Sequence, residues 1–228
     1  MTTPMQPGPR GRRPDPNPWG GVGGPAPTRR RGSAVAPKTA DGGLGSALGA
    51  GIGFTVLTWV FFFFNSIIFG GALNQLLGVR PLDTQGLWGI LFAPVLHADL
   101  DHLMANTVPA ALFAALIAFT SKKLWLQVTL IVMVVSGLAT WFIGGVGHVH
   151  IGASGLVYGW LAFLIVRGFY NRAPGQILLG MLLGFGYSGL IWGVFPTDFG
   201  VSWQMHLFGA IGGVIAASML KRGRAGAR

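Results

Sequence analysis

A run of residues without any charged side chain extends from Gly42 to Val79 and includes four consecutive phenylalanines at positions 61–64. A membrane-spanning helix needs about 20 mostly apolar residues, so this run is long enough to cross a bilayer. It also far exceeds the apolar core of about 7–15 residues in a signal peptide. We therefore expect a retained membrane anchor rather than a cleaved leader.

The composition of the whole chain agrees with a membrane protein. Of the 228 residues, 51% are apolar and only 10% are charged, which is too few charges to cover a soluble domain of this length. The chain has no cysteine, which excludes disulfides, thiolate catalysis and cysteine-ligated metals.

The net charge of +10 is concentrated in the first forty residues and in short breaks between apolar stretches. This distribution is typical of a topology signal, so no nucleic-acid partner is expected. Residues 1–43 are rich in Pro, Gly and Arg and are expected to form a disordered basic cytoplasmic tail. Residues 44–221 are the expected membrane domain, and residues 222–228 a second basic cytoplasmic tail.

Six apolar stretches are expected to span the membrane, at about residues 47–69, 103–120, 124–144, 154–167, 175–195 and 202–220. With the basic tail inside, the Lys and Arg residues between spans fall on the cytoplasmic side. The aspartates that then fall outside are Asp83, Asp99, Asp101 and Asp198. The predicted fold is an all-α polytopic membrane protein with six transmembrane helices and both termini cytoplasmic. The loop between the first two spans is expected to form short helices at the outer interface, shielded from lipid by protein.

The pattern Gly-x-Ser-Gly occurs twice, around Ser154 and around Ser188. Ser154 follows a glycine-rich loop and opens the fourth span, so nearby backbone N–H groups lack helical acceptors and can stabilise an oxyanion. Ser188 is expected more than three turns inside the fifth span, where its N–H is already bonded and the side chain serves packing. The alternative role for Ser154 is that of a helix N-cap.

A nucleophilic serine needs a base, and His206 is the candidate. It lies one turn into the sixth span, which also enters from the outside, so its depth should match that of Ser154. A histidine inside a membrane helix favours a functional role, the alternative being a hydrogen bond between helices. Two pairs of glycines would let the two helices approach closely. These pairs are Gly155 with Gly159 and Gly209 with Gly213.

Further polar residues lie at the outer ends of the spans. His102 and Asn106 are four residues apart on one helix face, so both can donate hydrogen bonds to one point. His97 precedes that helix and is a candidate to hold the loop. Tyr158, one turn below Ser154, is a candidate to pack on an imidazole.

Two more histidines, His148 and His150, precede Ser154. They could ligate a metal, but the histidine spacings match no common metal motif, and we expect interfacial loop residues here. No metal site and no cofactor are predicted.

Together these residues resemble the rhomboid family of intramembrane serine proteases. The similarity covers roughly Leu87 to Leu220 and lies in "HADLDHLMAN", in "GASG" followed by Tyr158, and in "HLFGAIGG". The resemblance implies a six-helix core, a Ser-His dyad without an acidic third member, and cleavage of transmembrane protein substrates within or near the lipid bilayer.

The resemblance also implies roles for individual residues. Ser154 would be the nucleophile and His206 the general base. The oxyanion would be held by His102, Asn106 and the Ser154 N–H. The supporting residues would be Tyr158, His97, Gly152, Gly155 and Gly209.

Two other functions remain open at this point. One is a catalytically silent, rhomboid-like protein that binds substrates. The other is a transporter that uses buried histidines, against which the absence of internal repeats and of intramembrane carboxylates argues. The expected location is a bacterial plasma membrane, with the protein crossing it several times, while substrate identity and oligomeric state are left undetermined.

Overall fold

A computed structural model of the chain describes residues 41–196 and 200–221. The first forty residues of the tail predicted at 1–43, the tail predicted at 222–228, and Asp198 of the last predicted outer loop lie outside the described residues. Within them the secondary structure is helical, apart from one isolated bridge between Val79 and His150. The α-helices are α1 (Leu44–Ile68), α2 (Ala72–Leu77), α3 (Gly89–Phe92), α4 (Leu100–Thr120), α5 (Lys122–Ile143), α6 (Ser154–Asn171), α7 (Pro174–Gly186) and α8 (Trp203–Met219). Three 3-10 segments complete the fold, at Thr84–Trp88, Ala93–Val95 and Ser188–Val194.

Helices α1, α4 and α5 are each long and apolar enough to cross a membrane. The bent pair of α7 and the 3-10 segment Ser188–Val194 passes the same test when its two parts are counted together. An all-helical chain with at least three such helices is a polytopic membrane protein.

Helix α6 lies at the centre of the bundle and packs against α4, α5, α7 and α8. Trp160, Phe163 and Leu164 on α6 are almost completely buried, together with Phe113 of α4 and Val132 of α5. A helix surrounded in this way holds its first turn in a fixed place relative to its neighbours. The N-terminus of α6, where Ser154 lies, is therefore a rigid platform.

Helices α6 and α8 approach each other through the glycine pairs seen in the sequence. A Cβ atom added to Gly209 would collide with the carbonyl oxygen of Gly155, and one added to Gly213 would collide with that of Gly159. A Cβ on Gly159 would lie 2.8 Å from the carbonyl oxygen of Gly209. Only glycine permits this backbone separation, which brings the N-terminal ends of the two helices together.

The expectation of one continuous helix over residues 175–195 is wrong. Helix α7 ends at Gly186, and the 3-10 segment Ser188–Val194 follows at an angle of 69°. Ser188, predicted to lie inside a helix, instead begins the second segment and is exposed at the protein surface.

The physical reason for the break lies in contacts with other helices. The Tyr158 hydroxyl donates to the carbonyl of Leu190 at 2.7 Å, and Nδ1 of His206 lies 2.8 Å from the carbonyl oxygen of Gly193. The ring of Tyr187, at the bend itself, packs edge-on against Phe113 at 4.8 Å. Side chains of α6 and α8 thus satisfy carbonyls of the 3-10 segment, which is how a broken helix is tolerated at membrane depth.

The outer segment between α1 and α4 contains short helices and is fastened to its surroundings. Val79 exchanges two backbone hydrogen bonds with His150, both 2.9 Å long. The indole Nε1 of Trp141, near the end of α5, donates to the carbonyl of Asp83 at 2.7 Å. These contacts hold the segment against the loop that leads into α6.

Candidate active site

The N-terminal ends of α4, α6 and α8 border a cavity of about 950 Å³. It is lined by residues singled out in the sequence, namely His102, Asn106, Ser154, Tyr158 and His206, and also by the loop histidines His148 and His150. A second cavity, an apolar groove of about 560 Å³ along α1, is lined by no titratable side chain. The candidate reactive residues predicted from the sequence therefore line the first cavity.

Ser154 is the first residue of α6, and its side chain does not cap the helix. The N-cap position is Ala153, where no side-chain hydrogen bond is made. The N–H of Val157 donates to the carbonyl of Ala153 at 3.0 Å. The N–H groups of the residues before Val157 belong to the first turn, so they have no acceptor within the helix. Ser154 lines the cavity beside these donors.

Gly152 brings the loop before α6 into contact with α4. Its φ of +118° is in a region that favours glycine. A Cβ atom here would lie 2.7 Å from Nε2 of His102 and 3.7 Å from Oγ of Ser154. The imidazole of His102 and the hydroxyl of Ser154 therefore lie against the same point of the backbone, and the small size of Gly152 is what permits this.

His206 is buried, and its imidazole is held from two directions. Nδ1 lies 2.8 Å from the carbonyl oxygen of Gly193. The ring stacks on that of Tyr158, with 4.1 Å between centroids and 9° between planes. Because a carbonyl oxygen only accepts, we assign the hydrogen of the neutral ring to Nδ1. Nε2 then carries a lone pair, which is the form a general base requires.

Within residues 41–196 and 200–221, no hydrogen bond joins Ser154 to His206, and no carboxylate is hydrogen-bonded to His206. The two side chains line the same cavity. Hydrogen bonds between catalytic groups are often long in the absence of substrate and shorten when it binds. The structure thus brings serine and histidine into one cavity, with a backbone carbonyl orienting the imidazole.

His102 and Asn106 occupy the first two turns of α4. The carboxylate of Asp99 caps this helix by accepting the N–H of His102 at 2.7 Å. The side-chain amide of Asn106 donates to the carbonyl of His102 at 2.9 Å. Both residues line the cavity, and a carboxamide has a second N–H hydrogen available for a ligand.

His97 is 2% exposed and connects the loop before α4 to the start of α6. Its Nε2 accepts the N–H of Ala153 at 3.5 Å, and its ring packs edge-on against His102 at 5.1 Å. Burial, and to a smaller extent the nearby His102, lower the pKa of His97 from 6.5 to about 4. A neutral imidazole is the form that accepts the Ala153 N–H beside Ser154.

The two remaining loop histidines have different surroundings. His150 is buried, with Nδ1 2.7 Å from Oγ of Ser202 and Nε2 3.1 Å from the carbonyl oxygen of Gly144. His148 packs its ring 6.4 Å from that of His150. No group of three metal-ligating side chains is found in the described part of the chain. Sequence reasoning did not foresee these contacts of His150, because its partners lie in distant segments of the chain.

The Rhomboid domain family matches residues 84–223 of the chain. A Mycobacterium tuberculosis (strain H37Rv) relative, "Uncharacterized protein Rv1337", is 42% identical over 179 residues, which cover 74% of this chain and 75% of the relative. A Mycobacterium leprae (strain TN) relative, "Uncharacterized protein ML1171", is 48% identical over 151 residues, covering 63% and 60%. A Bacillus subtilis (strain 168) relative carries the name "Putative rhomboid protease YdcA" and is 29% identical over 134 residues, covering 58% and 66%. With a family match over more than half of its length, the chain belongs to the rhomboid family.

Proposed function

We propose that the protein is an intramembrane serine endopeptidase that cleaves transmembrane protein substrates near the outer membrane face with a Ser154–His206 dyad. The observation that carries this proposal is the hydrogen bond from Nδ1 of His206 to the carbonyl of Gly193. It leaves the Nε2 lone pair of a buried imidazole in the cavity that also contains Ser154. Membership of the rhomboid family supports the same class of reaction.

In the acylation step, Oγ of Ser154 attacks the carbonyl carbon of the scissile peptide bond while its proton passes to Nε2 of His206. The negative charge on the former carbonyl oxygen is stabilised by the N–H of Ser154 and by the side chains of His102 and Asn106. The C–N bond then breaks as His206 returns the proton to the leaving amine nitrogen. An acyl ester on Ser154 and a free amine remain.

In the deacylation step, a water molecule from the outer side attacks the ester carbonyl. His206 accepts a proton from this water, and the new carboxyl group forms as the ester C–O bond breaks. The proton passes from His206 to Oγ of Ser154, which restores the starting state. Gly193 supplies the orienting contact that an acidic residue supplies in a Ser-His-Asp triad.

The proposed topology has six spans with both termini cytoplasmic, in a bacterial plasma membrane. The distance along α6 from Ser154 to Arg167 is about 20 Å, less than the roughly 30 Å of a hydrocarbon core. Ser154 would then lie below the outer surface, within reach of water through the cavity. Because a helix buries its peptide bonds against its own backbone, substrates with helix-weak segments should be cleaved best.

The test is labelling of the purified protein with a fluorophosphonate probe, followed by mass spectrometry of the labelled peptide. We expect the label on Ser154, no labelling of Ser154→Ala, and normal labelling of the matched control Ser188→Ala. Labelling that persists in Ser154→Ala but is lost in Ser188→Ala would show that the nucleophile is misassigned.

Two further outcomes would favour the other functions. A wild-type protein that neither reacts with the probe nor cleaves a helix-weak membrane substrate, but binds that substrate, would be a silent relative. Stoichiometric metal at the histidines of an unreactive protein would support the transporter.

A further inference from the structure

His150 lies where three outer segments of the protein meet. Its backbone N–H and carbonyl both pair with Val79, in the segment that precedes α4. Its imidazole lies between Gly144, at the end of α5, and Ser202, at the start of α8. The residue is 8% exposed, and it lines the same cavity as Ser154, together with Gly144 and Ser202.

The directions of its hydrogen bonds follow from their partners. The carbonyl oxygen of Gly144 only accepts, so Nε2 of His150 carries the hydrogen and Nδ1 accepts the hydroxyl hydrogen of Ser202. Oγ of Ser202 in turn accepts the N–H of Met205 at 3.4 Å and is the N-cap of α8. A continuous chain of hydrogen bonds therefore runs from the end of α5 through His150 to the cap of α8.

The two side chains of this link have the same sequence separation from the two residues of the dyad. His150 precedes Ser154 by four residues, and Ser202 precedes His206 by four residues. The N–H of His206 donates to the backbone carbonyl of Ser202 at 3.2 Å. The side-chain bond thus ties together the two backbone segments that lead directly into the serine and into the histidine.

The glycine contact between α6 and α8 does not supply this restraint. Gly155 and Gly209 set how closely the helices approach, whereas a hydrogen bond to the N-cap of α8 also restrains the position of that helix along its axis. A displacement by one residue along an α-helix is about 1.5 Å, which is enough to misplace a general base. An anchored N-cap opposes such a displacement.

We propose that His150 and Ser202 are positioning residues. They fix the position of α8 along its axis and thereby the position of His206 relative to Ser154. This inference depends on the proposed proteolytic function. Neither residue takes part in the making or breaking of covalent bonds, because both act on His206 only through the start of α8. The substitution that removes their link should therefore misalign the dyad without removing any part of it.

The experiment measures kcat and KM for a helix-weak transmembrane substrate, with thermal unfolding recorded for each variant. His150→Ala and Ser202→Ala should each lower kcat by about 10- to 100-fold with little change in KM. The double variant should be no slower than the slower single variant, because both remove the same link. Ser202→Thr, which keeps the hydroxyl, should restore most of kcat.

The matched control is Ser218→Ala, the same substitution at the other end of α8. Among the described residues, the hydroxyl of Ser218 bonds only to the carbonyl of Ile215 in its own helix, at 2.8 Å, so kcat should stay near the wild-type value. If His150→Ala does not fold, Ser202→Ala, which removes a single hydroxyl, decides the question through its kcat.

Several outcomes overturn the inference while leaving the proposed function intact. In each of them the wild-type protein is active. The first is a Ser202→Ala variant with wild-type kcat, and the second is a variant in which only KM increases. The third is a double variant whose loss of kcat is the product of the two single losses. A wild-type protein that neither cleaves nor reacts with the fluorophosphonate overturns the proposed function, and this inference with it.

Discussion

The two Gly-x-Ser-Gly segments are the same in pattern and opposite in structure. Ser154 begins α6, whose next residues are buried in the centre of the bundle. Ser188 begins a short 3-10 segment after a 69° bend and is exposed. Ser154 lines the polar cavity with four histidines and an asparagine, whereas Ser188 is not among its lining residues.

The difference shows that the expected reactivity of a serine depends on its surroundings rather than on its flanking glycines. Around Ser154 the glycines permit close approach of other backbones and of His102. Around Ser188, a Cβ added to either Gly186 or Gly189 would meet nothing within 4 Å. In the first segment Gly152 is required by its φ of +118° and by the contact with His102, and in the second neither glycine is packed against a neighbour.

The largest expected effect is on the rate of proteolysis. Ser154→Ala should lower kcat by at least about 10³-fold because the nucleophile is lost. Ser188→Ala should leave kcat within about twofold of wild type. Equal losses in the two variants, measured on one transmembrane substrate, would remove the distinction between the segments.

The next effect is on stability. Gly209→Val places a side chain against the carbonyl of Gly155 and should lower the free energy of unfolding by about 3 kcal/mol. Gly189→Val, the matched change beside Ser188, should have a much smaller effect. Denaturation in detergent micelles measures both, and a Gly189→Val variant as unstable as Gly209→Val would contradict the packing argument.

The stability of the protein should depend on pH because His97 accepts a hydrogen bond from the N–H of Ala153. The folded state depresses the pKa of His97 from 6.5 to about 4, so the folded protein prefers the neutral ring. Stability should be unaffected above pH 6.5 and should fall, by on the order of 2 kcal/mol, as the pH drops from about 6.5 to 4. His97→Gln, which cannot titrate, should have a smaller drop in Tm over that interval than the wild type. If the dependence of Tm on pH is the same in both proteins, His97 is not responsible for it.

The smallest effect should come from the hydroxyl that links α6 to the segment containing Ser188. Tyr158→Phe keeps the stack on His206 but removes the bond to Leu190, and should cost about 1 kcal/mol in stability with a modest loss of kcat. Tyr187→Phe is the control, since among the described residues its hydroxyl makes no hydrogen bond. A larger change in Tyr187→Phe than in Tyr158→Phe would show that this link does not hold the bend.

Much of the site could be predicted because its parts are local. His102 and Asn106 share a helix face by their spacing of four, and the start of α6 follows directly from the glycine-rich loop before Ser154. The approach of α6 and α8 could be expected from their glycine pairs. Hydrogen bonds between distant segments have no such local signal, which is why the link from His150 to Ser202 was not foreseen.

The sequence by itself determined that the chain is a helical membrane protein of the rhomboid family, because apolar length and motif spacing are properties of the linear chain. Only the tertiary structure decided where α7 ends and which serine faces the cavity. The bend follows from hydrogen bonds that Tyr158 and His206 make with carbonyls of the 3-10 segment Ser188–Val194, and the orientation of His206 follows from the same contact. Those partners come from three different helices, so no stretch of sequence contains them together.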